Sequence, residues 1–392
     1  MRTQVGIIGA GPAGLLLSQL LHLEGIESVV IEQRSRATVE STLRAGVLEQ
    51  GTVDILCAAG VGDRLGREGV VHHGFEMRFN GERQRVPLSD LTGGRAITLY
   101  AQHEVLKDLI AARTAADGHL HFEAKGSRVF ALETTRPSIE FATAAGSQRL
   151  ECDFVVGCDG YHGVSRAAIP AASRREFRRD YPYAWFGLLT AAPRLAEELI
   201  YCHHERGFAL VSTRSPDLQR LYFQCSLNTR IEDWSDDRVW DELLSRLAIG
   251  GGAAPAIGPI LQRDVVGLRS FVCEPMQYGR LYLAGDAAHI VPPTGAKGMN
   301  LAIADVRILA RALTEIYRNG DQRWLDAYSG DCLRRVWRAQ RFSAWMTALL
   351  HRPDPFDAFQ ARLQQAEFDA LKSSVEMAMV VAQNYVGWSW DQ

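Results

Sequence analysis

The sequence runs to 392 residues, long enough for two joined units with separate cores, and its 47% hydrophobic and 23% charged residues are ordinary for a globular chain. A formal net charge of -3, with arginines and a few lysines scattered along the chain, leaves no basic footprint for nucleic acid or an anionic membrane surface. Seven dispersed cysteines without a Cys-x-x-Cys pair build no zinc site and fit a reducing cytoplasm, and no apolar run is long enough to span a membrane.

The opening MRTQVGIIGAG enters a strand directly, without a secretory apolar region and cleavage site, so a cytoplasmic place is expected. Residues 4–32 read as strand, Gly-rich turn, apolar helix and second strand. Gly9, Gly11 and Gly14 form Gly-x-Gly-x-x-Gly directly after Val5 to Ile8, and Glu32 closes the next strand. The glycines permit a tight turn, close backbone approach to a pyrophosphate and helix-on-strand packing, while the terminal Glu accepts a ribose hydroxyl. Arg44 then precedes an amphipathic helix expected to bear Val47, Leu48, Val53, Leu56 and Cys57; a guanidinium just after a dinucleotide unit suits phosphate.

Phe75, Met77 and Phe79 alternate with Glu76 and Arg78 ahead of an Asn80-Gly81 turn toward Val86 and Leu88, a hairpin signal that interrupts the α/β pattern. Residues 105–115 read as a helix and 153–169 as a strand ending in a Gly/Asp turn. Residues 185–227 alternate again, so a second, sheet-based unit is expected to be inserted into the first.

The stretch 281–300, LYLAGDAAHIVPPTGAKGMN, begins as a buried strand, breaks at Gly285-Asp286, turns at Pro292-Pro293 and is expected to open a helix around Thr294 to Lys297. Leu301, Ile303, Val306, Leu309, Leu313 and Ile316 recur at helical spacing, and Asn319-Gly320 stops the run. Asp286 and several free backbone N–H groups would thereby surround one point, suited to an anionic ring edge or a sugar hydroxyl. Beyond Gly320 the chain reads as helix, 324–351 and then 355–383, and the aromatic NYVGWSW at its end reads as a core or dimer contact.

Three stretches coincide in order and spacing: GAGPAG with Glu32, the Cys158-Asp159-Gly160 turn followed by Ser165-Arg166, and Gly285-Asp286 before PPTGAKGMN. On these the chain resembles the FAD-dependent aromatic hydroxylases, the single-component flavoprotein monooxygenases, over essentially its whole length. RAGVLEQG, RGFAL-x-S-x-R, AHIVPPTGAKG-x-N and QNYVG resemble the branch that acts on 4-hydroxybenzoate. The resemblance implies an α/β architecture. A Rossmann-like FAD-binding domain (1–72, 97–180 and 268–350) would hold an inserted, mainly β substrate domain (73–96 and 181–267), followed by a C-terminal helical interface segment (351–392).

It also implies roles. Ser212, Arg214 and Tyr222 match a substrate-carboxylate clamp, and an arginine fork with two hydroxyls is a sound carboxylate receptor. Tyr201, Tyr385 and His72 match a proton relay ending at an imidazole near the surface whose pKa is close to neutral, with the Pro293 carbonyl holding the phenolic O–H. For FAD the resemblance assigns Gly9, Gly11, Gly14 and Glu32 to the adenosine and pyrophosphate, Arg44 and Gln102 to the pyrophosphate and flavin side, and Asp159 and Asp286 to the ribityl region. Met299 and Asn300 go to the isoalloxazine, and Arg220 is a second support for reduced flavin, a surface salt bridge being its alternative. Arg44, His162 and Arg269 match contacts to the nicotinamide nucleotide. Thr38 and Thr42 stand where NADPH-dependent members carry Tyr and Arg, which leaves NADPH or NADH open.

The activity implied is hydroxylation of 4-hydroxybenzoate to 3,4-dihydroxybenzoate with NAD(P)H and O2, through a flavin C4a-hydroperoxide. Another small aromatic acid, 4-aminobenzoate or 3,4-dihydroxybenzoate, is the alternative substrate. No metal, nucleic acid or membrane partner is expected, and a homodimer is. A flavin-binding sensor without turnover is the competing class; NAD(P)H consumption stimulated by an aromatic acid separates the two.

Overall fold

Four apolar strands build the first layer. Val5–Ile8, Ser28–Ile31 and Phe154–Gly157 are buried at every position, as is Leu281–Leu283; such uninterrupted apolar runs suit a parallel sheet covered on both faces. In the computed structural model, which describes residues 1–44, 46–249 and 256–389, these strands are parallel neighbours in a six-stranded sheet. Their register aligns Ile8 with Gly157 and Ile31, and Gly157 with Leu283. Gly9, Glu32, Cys158-Asp159 and Ala284-Gly285 therefore leave the sheet side by side at its carboxyl edge, where open α/β sheets bind ligands.

The second layer is an eight-stranded sheet. Its two longest strands, Arg175–Thr190 and Ile260–Glu274, pair antiparallel, with a register break between Asp180 and Ala184. Asp180 pairs with Arg269 before that break and Ala184 with Gly267 after it. Leu218–Ser226, Ala209–Ser215, Leu199–His203 and the hairpin of Phe75–Phe79 and Glu82–Val86 continue the sheet outward. One face packs Phe186, Leu188, Ile200, Val211 and Phe223 under the helix Asp236–Leu247; the other carries Tyr201, Trp185 and Phe208. At the opposite edge, His289–Ile290 pairs with Val272 and Phe271, so the loop after Gly285-Asp286 stitches the two sheets together.

The helix Gly298–Asn319 ends on Gly320 in the left-handed region and packs on Pro12–Leu23. It starts later than the spacing predicts. Pro293–Gly295 forms a single 3-10 turn and Ala296 adopts a positive φ of 54°, reversing the chain before the helix can begin. Val47 and Leu48 lie in the strand Val47–Glu49, paired with Ile97–Leu99, and the helix is Gln50–Ala58; a cross-strand ladder overrides helical spacing there. The expected run 355–383 divides into Ala358–Ser373 and Val375–Val386, because the Ser374 hydroxyl accepts from Met377 N and caps a new helix. Trp390 of NYVGWSW lies outside the described residues. Among the described residues no helix is long and apolar enough to cross a membrane, and no group of three His, Cys, Asp or Glu side chains could hold a metal ion.

Candidate active site

At the carboxyl edge of the first sheet the three glycines do different work. Gly9 has φ +106°, and a Cβ there would lie 2.3 Å from Cys158 O; a Cβ on Gly14 would lie 2.0 Å from Gly9 O. These two make the turn and let the helix close on it, whereas Gly11 has no heavy atom within 4 Å of an added Cβ and faces open space at the helix N-terminus. Glu32 accepts from Ala10 N and Arg34 N at 2.9 Å and from Arg34 Nε at 3.0 Å. Burial would raise its pKa, but the Arg34 and backbone hydrogen bonds outweigh that and keep it below the usual carboxylate range. Asp159 Oδ2 accepts from Ser165 N and Oγ at 2.9 Å, while its buried Oδ1 has no partner among the described residues; burial raises this carboxyl. Asp286 is raised by burial too, against the nearby charges of Arg44 and His289. An open glycine at a helix N-terminus, a buried carboxylate closing the second strand and an orphaned acceptor on the third edge fit a dinucleotide such as FAD.

Behind this edge, Asp305 accepts from Gly285 N at 2.9 Å and meets His289 Nε2 at 2.7 Å, all buried. Burial opposes charge on His289, but Asp305 prevails and raises its pKa. Asn300 corrects an expectation. Its Oδ1 accepts from Glu49 N at 2.9 Å and Thr52 Oγ1 at 2.7 Å, and its Nδ2 donates to Val47 O and Ala296 O at 2.9 Å. That uses the amide fully, so the side chain braces the helix start and is not free for a ring. Met299 and Gln102 sit half-buried at the starts of their helices. Lys297 is buried against Glu49 at 2.6 Å and donates to Tyr385 O at 3.0 Å; burial lowers its pKa against the pull of Glu49.

Strand register assembles the second half. Tyr201 and Tyr222 both lie opposite Leu210, and Arg220 lies opposite Ser212. Directly opposed residues share a face, as do alternate residues along a strand, so Tyr201, Ser212, Arg220 and Tyr222 point the same way, with Arg214 two residues beyond Ser212. Gly187, opposite Tyr222, leaves the space: a Cβ there would lie 2.2 Å from Asp264 Oδ1 and 3.0 Å from Tyr222. Burial lowers the pKa of Arg214, Tyr222 opposing it, and no carboxylate among the described residues pairs with this guanidinium. Arg220 differs: it is bonded to Asp264 Oδ1 and Oδ2 at 2.7 and 2.8 Å, a buried arginine already paired rather than a free support or a surface bridge.

Tyr201 Oη and Tyr385 Oη lie 2.6 Å apart, both buried, and burial raises both phenols. His72 is not near the surface. It is 1% exposed, its Nδ1 accepts from Leu199 N at 3.3 Å, and its Nε2 has no partner among the described residues. Burial, against the pull of Glu198, lowers its pKa to about 4, so the ring is neutral at pH 7 and no direct hydrogen bond joins it to either tyrosine. The Pro293 carbonyl accepts from Ala296 N at 2.9 Å and keeps a second lone pair.

Arg44 is exposed beside Asp286. His162 and Arg269 meet around Tyr161, at 4.9 and 5.1 Å from its ring, with Arg166 at 4.8 Å. Nothing in the sequence pattern gave a role to Tyr161, Lys297, Glu49 or the Asp305–His289 pair, and Arg166 stood out only as part of the stretch after Cys158-Asp159-Gly160. One signal was available for Asp305, an acid on the apolar stripe between Leu301 and Leu309.

A family described as FAD binding domain matches residues 2–343. The chain is 47% identical over 391 residues to p-hydroxybenzoate hydroxylase of Acinetobacter baylyi (strain ATCC 33305 / BD413 / ADP1), spanning 100% of this chain and 96% of that relative. Among solved structures it resembles p-nitrophenol 4-monooxygenase PnpA from Pseudomonas putida DLL-E4, with a TM-score of 0.83 at 20% identity over 97% of each chain. It also resembles the Diels-Alderase PyrE3, with a TM-score of 0.77 at 20% identity over 99% of this chain and 81% of that one. These two likenesses show the fold alone, which a hydroxylase and a Diels-Alderase have in common.

Proposed function

Since the chain belongs to the FAD-binding family of aromatic hydroxylases, we propose that it hydroxylates 4-hydroxybenzoate at the 3-position to 3,4-dihydroxybenzoate, using NAD(P)H and O2. The observation that carries the substrate class is Arg214, a desolvated guanidinium without an anion, on the sheet face that also carries Ser212, Tyr222 and Tyr201. A carboxylate would supply the missing charge and accept from both hydroxyls. At the other end of the ring a phenol would meet Tyr201 and the second lone pair of the Pro293 carbonyl. The short Tyr201–Tyr385 bond passes the phenolic proton inward, because each hydroxyl donates and accepts at once. His72 is the imidazole at which this relay would end; with Nδ1 accepting from Leu199 N, the neutral ring holds its proton on the uncommitted Nε2, from which it can be handed on. Loss of the proton makes the carbon ortho to the phenolate electron-rich, and the buried setting excludes water.

Gly9, Gly11, Gly14, Glu32, Asp159 and Asp286 would hold FAD, with Arg44, Gln102 and the helix start at Met299 on the flavin side. FAD when bound supplies electron transfer from NAD(P)H and activation of O2 that side chains cannot. Arg269 and His162 around Tyr161 suit the phosphates of the nicotinamide nucleotide, with either NADH or NADPH as donor. The seven cysteines are all free, in keeping with a cytoplasmic enzyme. Phe356, Phe359 and Val375 are exposed on and beside the C-terminal helices, an apolar surface that a second copy would cover in a homodimer.

Titration of the FAD-loaded protein with 4-hydroxybenzoate, followed through the flavin absorbance, tests the clamp. Saturable binding is expected in the parent, with affinity lost by about 100-fold in Arg214→Ala, since a charge-assisted bidentate contact disappears. Equal affinity in the two proteins would remove the carboxylate from this site.

A further inference from the structure

The helix Arg323–Leu350 and the residue after it carry a polar stripe through a buried setting. Gln340, Ser343, Thr347 and His351 recur at three- and four-residue spacing, so they share one face, and all four are buried. Buried polar groups are retained where they find partners, and those of Gln340, Thr347 and His351 lie on both sides of the candidate site, while the Ser343 hydroxyl has none among the described residues. Gln340 Nε2 donates to Ile290 O at 2.7 Å and Phe271 O at 3.2 Å. Ser343 lies against Gly295, where a Cβ would come within 2.5 Å of Ser343 Oγ. Thr347 Oγ1 donates to Ser343 O at 2.7 Å and shares a hydrogen bond of 2.9 Å with Thr294 Oγ1, next to Pro293.

His351, at the end of the same face, reaches the sheet side. Its Nε2 accepts from Trp185 Nε1 at 2.7 Å, and its Nδ1 donates to Thr347 O at 2.9 Å. An indole N–H only donates, so the ring proton of a neutral His351 must sit on Nδ1. Phe208 and Tyr183 stack on the imidazole with centroids 4.5 and 4.6 Å away, which fixes its plane. Trp185 in turn lies 5.1 Å from Tyr222 and stacks on Phe208 at 4.9 Å. One helical face therefore holds Thr294, beside the Pro293 carbonyl, and Trp185, beside the Tyr222 ring.

We propose that Thr347 and His351 are positioning residues. They tie the phenol end and the carboxylate end of the substrate site to one rigid helix, and so set the separation at which an aromatic acid is gripped. The identity of the acid rests on the function proposed above; the tie itself rests on the contacts just described.

The FAD-loaded protein and its His351→Phe, His351→Gln and Thr347→Val variants test this. Phe keeps the ring stack and loses both hydrogen bonds, Gln restores an acceptor for the indole, and Val is isosteric with Thr. In His351→Phe the KM for 4-hydroxybenzoate should rise about tenfold, the worth of one buried hydrogen bond, with Gln recovering most of it. In Thr347→Val the KM should stay near the parent value, while product formed per nucleotide oxidised falls at least about threefold. A readout without substrate separates this proposal from the function it rests on. The Trp185 indole N–H, assigned by its absence in Trp185→Phe, should exchange with solvent at least about tenfold faster in His351→Phe than in the parent. Variants that lose only thermal stability, with parent KM, parent coupling and parent indole exchange, would overturn the proposal. So would equal behaviour of His351→Phe and His351→Gln. If His351→Phe fails to fold, Thr347→Val with parent coupling overturns it alone.

Discussion

Tyr201 and Tyr385 are 184 residues apart in the chain and 2.6 Å apart in space. Nothing in composition or spacing distinguishes either from a core aromatic; only the resemblance joined them. Removing the first hydroxyl should break proton transfer while leaving the ring stack. In Tyr201→Phe, nucleotide oxidation should stay within about threefold of the parent while product per nucleotide falls at least about tenfold, the lower range for a lost general acid–base contact. Hydrogen peroxide should account for the difference, and unchanged coupling would remove Tyr201 from the relay. The Arg220–Asp264 pair was illegible for a different reason. It joins two strands across Gly187, and cross-strand register is set by tertiary pairing rather than by local pattern. Likewise the burial of His72 depends on the sheets packed around it, which its neighbours Val71 and His73 do not reveal.

Elements were legible where one periodicity acts alone. The Gly-x-Gly-x-x-Gly unit, the 75–86 hairpin and the Gly320 stop all follow from local chemistry. The chain departed from expectation where long-range pairing competes, as at Val47–Glu49, or where an unusual backbone state intervenes, as at Ala296. The glycine unit also separates folding from ligand binding. Gly14→Ala should lower stability by roughly 1–3 kcal/mol, because its Cβ would lie 2.0 Å from Gly9 O and the turn must move. Gly11→Ala meets nothing within 4 Å, so its melting temperature without cofactor should match the parent while FAD retention falls. Thermal melts and the flavin-to-protein absorbance ratio read both, and parent-like FAD retention in Gly11→Ala would mean that the pyrophosphate does not approach that turn.

At the scale of the molecule, the two-sheet architecture was legible because the hairpin signal interrupts an α/β pattern. The stitch made by His289–Ile290 was not, since a two-residue strand leaves no periodicity to read. Three of the buried histidines, His72, His203 and His351, have pKa values that burial lowers to about 4, 4 and 3 from 6.5. Between those values and 6.5 the unfolded chain binds more protons than the folded one, so stability should rise with pH across that window and fall on acidification. His72 and His203 each contribute roughly 3 kcal/mol at full effect and His351 roughly 5, and His289, raised by Asp305, pulls the other way. Denaturant melts from pH 4 to 7 should show that loss on the acid side, and His203→Phe should flatten it; a pH-independent midpoint would contradict neutral buried rings. The most direct measurement of the proposed reaction is chromatographic identification of the product when the FAD-loaded protein meets 4-hydroxybenzoate, O2 and either NADH or NADPH, with 4-aminobenzoate in a parallel assay. The expected product is 3,4-dihydroxybenzoate, formed only with the nucleotide and lost in Arg214→Ala. Nucleotide oxidation without that product, or a product only from 4-aminobenzoate, would contradict the proposed reaction.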